Sequence, residues 1–94
     1  MNVIDEQTRP SLARGVRVQL DPKTREPMLL FPEGAVYLSE TAHAIVTRCR
    51  GDLTAQGIID SLAAEYETDS EALRRDVLDC LTDLHQRKLL VFAK

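Results

Sequence analysis

The chain has 94 residues, a net charge of −3 and an apolar fraction of 44%. That length supports one domain with a modest core, and that apolar fraction is too high for wholesale disorder. A negative balance gives no electrostatic ground for nucleic acid or an anionic membrane as partner, and no apolar run approaches the roughly 20 residues needed to span a bilayer. The opening MNVIDEQTRPSLARG has two early acids and no apolar h-region, so no secretory signal is expected and a soluble cytoplasmic protein is.

Residues 1–14 show no periodicity and include Arg9-Pro10; they read as an extended mobile arm, leaving a single domain over 15–94. Val16, Val18 and Leu20 then alternate with Arg17 and Gln19, the period of a half-buried strand. Asp21 to Pro27 is turn chemistry. A second strand over Met28 to Phe31 and a third over Ala35 to Leu38 flank Pro32-Glu33-Gly34, so an antiparallel meander is expected. A small sheet of this kind leaves strand edges open, and the edge of Ala35 to Leu38 needs an occupant or a reason to be bare.

The remainder reads as helical. Ser39 is a good N-cap, Glu40 suits the positive end of a helix, and Ala42, Ile45, Val46 and Cys49 form one stripe before Gly51 terminates it. Thr54 opens a second helix with Ile58, Ile59, Leu62 and Ala63 on its buried face, ending near Tyr66. Thr68-Asp69-Ser70-Glu71 matches a capping box and starts the longest helix, roughly 69–88. Leu89 to Phe92 is an apolar tail that either adds a strand or tucks against the core. The fold class expected is α+β: a three-stranded antiparallel meander followed by a three-helix bundle resembling a winged helix-turn-helix.

Chemistry is sparse. Cys49 and Cys80 fall on apolar helix faces and read as reduced, buried thiols; with no CxxC or HxxxH pair, no zinc site is expected. His43 and His85 stand in helices without a motif, Asp76, Asp79 and Asp83 read as a solvated acidic flank, and no glycine-rich phosphate loop exists. Arg50-Gly51-Asp52 is a short chance match to an adhesion tripeptide. No enzymatic activity, cofactor or metal is expected. DNA is disfavoured by charge: Gly51 to Glu67 contains no basic residue and includes Asp52, Asp60, Glu65 and Glu67. On the third helix, Leu73, Val77, Cys80 and Leu84 make a core stripe, while Leu78 and Leu81, flanked by Arg74 and His85, lie beyond it. Those extra leucines either touch the arm or the tail, or form one wall of a binding groove.

Several segments in order carry a family resemblance: Arg14-Gly15-Val16-Arg17, Leu29 to Gly34, Leu38 to Ala42 with Ile45, Cys49-Arg50-Gly51, then Thr54 and Ile58-Ile59. The chain resembles pyrroloquinoline quinone biosynthesis protein D, PqqD, from about Leu12 to Leu90. Ser39 stands where that family commonly has Asn, and Arg50 where it commonly has Asp, which leaves open a relative serving another peptide-modifying system. The resemblance implies a non-catalytic chaperone that binds the precursor peptide PqqA and presents it to the radical S-adenosylmethionine enzyme PqqE. It further implies a peptide added as a strand beside Ala35, Val36, Tyr37 and Leu38. The wheel then suggests Arg74, Leu78, Leu81 and His85 as the helical wall. A winged-helix DNA-binding regulator and a self-associating structural domain stand as alternatives, and a homodimer through the open edge or a domain swap stays open.

Overall fold

The computed structural model describes residues 4–93. In chain order the elements are β1 (Arg9–Leu12), β2 (Arg17–Leu20), β3 (Pro27–Phe31), β4 (Gly34–Tyr37), α1 (Glu40–Val46), α2 (Ala55–Tyr66), α3 (Ser70–Gln86) and β5 (Leu90–Ala93). The strands form two antiparallel sheets, a three-stranded one ordered β2-β3-β4 and a two-stranded one of β1 with β5. The expected α+β meander and helices are present. Among the described residues no helix is long and apolar enough to cross a membrane.

The meander follows from its turns. The Asp21 carboxylate accepts the amide N–H of Lys23 at 2.8 Å and of Thr24 at 3.3 Å, closing an Asx turn that reverses β2 into β3. Pro27 opens β3, where its missing donor removes no interior ladder bond. In the register Val18, Leu29 and Val36 lie opposite one another and so share a face. Leu29 is fully buried, so that face is the one turned to the core.

Ser39 caps α1 as expected, its Oγ accepting the Ala42 N–H at 3.0 Å. The helix ends earlier than expected, at Val46. Arg48 and Cys49 donate to carbonyls three residues back, a tighter winding that still carries Cys49 into the core. Thr54 caps α2, accepting from Gly57. The predicted capping box does not form. Glu67 takes a left-handed conformation (φ 52°) and Thr68 donates to the Ala63 carbonyl at 3.0 Å, so Thr68 completes the end of α2. The cap of α3 passes to Asp69.

The arm is the largest revision. Residues 9–12 are extended, as expected, but they are paired: Arg9 opposes Ala93, Pro10 Phe92, Ser11 Val91 and Leu12 Leu90. The tail therefore adds a strand, and the arm is its partner. The segment before β1 also caps α2, because the Thr8 carbonyl accepts the Ala55 N–H at 2.7 Å and the Glu6 carbonyl accepts that of Gln56 at 3.0 Å. These amides belong to the first turn of α2, which has no intrahelical acceptors for them.

The core centres on Leu29, Ile45, Ile58, Ile59, Leu62, Val77, Leu81 and Leu90, each no more than 1% exposed. On α3 the buried stripe is Val77, Leu81 and Leu84. Leu73 and Cys80 are only half-buried, so the helix is rotated from the expected stripe by about one residue. Leu81 thus belongs to the core. Leu81→Ala is expected to cost roughly 2–5 kcal/mol of stability, read from the urea midpoint, with Leu78→Ala costing less because Leu78 is half-buried. An unchanged midpoint in Leu81→Ala would place that leucine outside the core.

Candidate functional site

Nothing pairs with the far side of β4 among the described residues. Which of its backbone groups are free follows from one hydrogen bond. Leu38 donates its N–H to the Pro27 carbonyl at 2.9 Å, so Leu38 points its polar groups toward β3. Antiparallel pairing alternates, so Val36 points the same way. Ala35 and Tyr37 point outward, leaving two N–H and two C=O groups on the open edge.

Tyr37 is also anchored through its side chain. Its hydroxyl donates to Asp21 Oδ2 at 2.6 Å, tying the open strand to the β2–β3 turn. That hydrogen bond, with the Lys23 and Thr24 amides, holds the Asp21 carboxyl below its usual 3.8, and the same contact raises the Tyr37 phenol above 10.0. Both groups are exposed, so the contact orients more than it stabilises.

Beyond β4, a depression of about 260 Å³ lies between α1 and α3, lined by Ser39, Thr41, Ala42, Ile45, Asp76, Asp79 and Cys80. A second, of about 500 Å³, lies between the β3–β4 turn and the end of α3, lined by Arg14, Val16, Phe31, Pro32, Glu33, Arg87, Lys88 and Leu89. Asp76, Cys80, Asp83 and Arg87 recur at i, i+4, i+7 and i+11, a single flank of α3. Asp76 and Cys80 line the first depression and Arg87 the second, while β4 connects Phe31–Glu33, at the second, to Ser39, at the first. Cys80 sits on it as a protonated thiol, pushed up to about 11 by burial and then by the Asp83 charge. Cys49 is pushed up to about 12 by burial and by Cys80. Neither thiol is disposed to act as a nucleophile at neutral pH.

The sequence-predicted site residues fall into two places. Ala35, Val36, Tyr37 and Leu38 lie on or at the end of the open strand. Arg74, Leu78, Leu81 and His85 do not join them. Arg74 forms an ion pair with Glu6 and donates to Gln56 Oε1 at 3.1 Å. His85 stacks on Phe92 of β5, ring centroids 4.0 Å apart. Leu81 is in the core and Leu78 packs against it. At 100° per residue His85 lies about 180° round α3 from Asp76. Arg74 and His85 are engaged by the N-terminal segment and β5, and the extra leucines serve the core. The flank that accompanies β4 is the acidic one, which the sequence presents only as a solvated face; its single signal is Cys80, an apolar residue set among the aspartates.

The chain matches known proteins over most of its length. Residues 26–90 match the family described as Coenzyme PQQ synthesis protein D (PqqD). It is 36% identical over 90 residues to a PqqA binding protein of Xanthomonas campestris pv. campestris, covering 96% of this chain and 98% of that one. A PqqA binding protein of Xanthomonas axonopodis pv. citri is equally similar, at 36% over 90 residues. Among solved structures, the PqqD truncation of Methylobacterium extorquens PqqCD superposes with a TM-score of 0.75 at 32% identity, covering 87% of each chain. That structure is described as a stand-alone recognition element for ribosomally synthesized and post-translationally modified peptides. The crystal structure of PqqD from Xanthomonas campestris superposes with a TM-score of 0.58 at 34% identity, covering 93% of this chain and 97% of that one.

Two predictions follow from this geometry. Val36→Pro removes a ladder donor, at about 1 kcal/mol or more, and should lower the thermal midpoint by at least ~4–8 °C. Ala35→Pro removes only an outward N–H and should leave the midpoint nearly unchanged; equal losses would contradict the assigned alternation. In pH titration by carboxyl NMR, Asp21 should show a midpoint below 3.8 that rises in Tyr37→Phe. A depressed carboxylate contributes at pH above its ordinary value and loses that contribution as pH falls through the depressed one. The phenol loses its side of the contact as pH climbs past its raised value.

Proposed function

The chain belongs to the PqqD family, and from that premise we propose that it is a non-catalytic peptide chaperone of pyrroloquinoline quinone biosynthesis, acting in the cytoplasm. It binds the precursor peptide PqqA as an added strand on the open edge of β4 and presents it to the radical S-adenosylmethionine enzyme PqqE. The observation that carries the docking mode is the unpaired edge at Ala35 and Tyr37 beside an uncovered flank of α3.

Strand addition uses main-chain hydrogen bonds for affinity and pockets under alternate side chains for selectivity. Four edge groups at about 1 kcal/mol net each supply roughly 4 kcal/mol. The rest must come from side chains that enter the groove, each worth ~1.5–3 kcal/mol if fully buried. Ordering a flexible peptide costs ~2–5 kcal/mol, which suits a carrier that has to release its cargo. The depression offered here is lined by Ala42, Ile45 and Cys80 among others, not by Arg74 and His85. The relatives' names, a PqqA binding protein and a peptide recognition element, support recognition over catalysis.

Titration of the protein with PqqA, followed by amide NMR and hydrogen exchange, tests the reading. The amides of Ala35 and Tyr37 should gain protection on binding, with shifts at Asp76, Asp79 and Cys80, whereas Val36 and Leu38 should be protected already. Binding that shifts Arg74, His85 and β5 but leaves β4 unmoved would refute it.

A further inference from the structure

Resting on the docking reading above, we infer that the bound peptide carries a cationic side chain at the Ser39 end of the groove and a carboxylate at the Pro32 end, about five residues apart. The groove is electrically polar along its length. At the Ser39 end the depression is lined by Asp76 and Asp79. Asp76 enters no ion pair among the described residues, and the cation beside Asp79 is Arg75, 3.9 Å away with both groups largely exposed. The first turn of α1 adds about half a positive charge there, against two full carboxylates. At the Pro32 end, Arg14, Arg87 and Lys88 face a single acid, Glu33. Arg87 is engaged with Asp83 at 3.3 Å, but Arg14 and Lys88 enter no ion pair among the described residues. The negative end of the α3 dipole offsets only about half of one of these charges.

The spacing comes from the helix. From Asp76 to Arg87 the flank rises about 16 Å at ~1.5 Å per residue. An extended peptide covers that span in about five residues at ~3.3 Å each. Seating the peptide with its charges reversed would set its cation beside Arg14 and Lys88 and its carboxylate beside the aspartates. The charge pattern therefore fixes how the strand is seated on β4, which the backbone edge alone, able to pair with a strand in either direction, does not do.

The test is a set of double-mutant cycles. Precursor peptides with each Lys or Arg changed singly to Gln, and each Asp or Glu changed singly to its amide, are titrated by fluorescence anisotropy. The proteins are wild type, Asp76→Asn/Asp79→Asn and Arg14→Gln/Lys88→Gln. One cationic position should weaken binding two- to fivefold in wild type, the range of about 0.5–1 kcal/mol for an exposed pair, and have no effect in the aspartate variant. One acidic position, about five residues away, should behave likewise toward the Arg14/Lys88 variant. Peptide binding with no such coupling overturns the charge assignment while leaving strand docking intact. An unmodified peptide that fails to bind at all overturns the docking reading, and this inference with it.

Discussion

Leu12 and Leu90 stand opposite each other in the pairing of β1 with β5, and much of the rest of the molecule is arranged by that contact. The pairing brings the N-terminal segment against the start of α2 and sets Phe92 on His85. It also accompanies the engagement of Arg74 by Glu6 and Gln56. One flank of α3 is thereby consumed by the chain itself. The opposite flank, with Asp76 and Cys80, is left lining the depression between α1 and α3. Which surface is open to a partner is thus decided by a strand pair distant from it.

The open edge and the open flank are complementary in kind. The edge offers backbone groups with no preference among sequences; the flank offers charge and a few half-buried apolar positions, where preference arises. Tyr37 holds the edge in place through Asp21, so the open strand is ordered before anything pairs with it. The core contributes by fixing the face of the sheet. Leu29 is fully buried, and Val36 beside it therefore points inward, toward the helices.

Local signals were the legible ones. The half-burial of Val16 and Val18, the Asx turn at Asp21, and the caps at Ser39 and Thr54 act within a few residues and appear in the structure, although Leu20, expected on the same face, is exposed. The pairing of Arg9–Leu12 with Leu90–Ala93 was not legible. It joins segments at opposite ends of the chain, and RPSL contains a proline and no alternation. The rotation of α3 was hidden for another reason. Leu73, Val77, Leu78, Cys80, Leu81 and Leu84 make an apolar sector wide enough for two stripes, and the packing of α3 on α2, with β5 and α1, chooses Leu81 over Cys80. That single choice separates Arg74 and His85, which engage Glu6 and Phe92, from Cys80 on the other flank. The parity of β4 was also beyond the sequence, because side-chain alternation says which face is wet but not which N–H groups meet a neighbour.

The β1–β5 pair has one more effect, on modular architecture. Ile4 and Phe92 line one depression with His85, so the two ends of the described chain lie together. They do so on the far side of α3 from the groove. A tether or neighbouring domain attached before Ile4 or after Ala93 would depart from the His85 side of α3 and leave the Asp76 side clear. The fold is in this sense a cassette whose chain ends and acidic α3 flank are segregated.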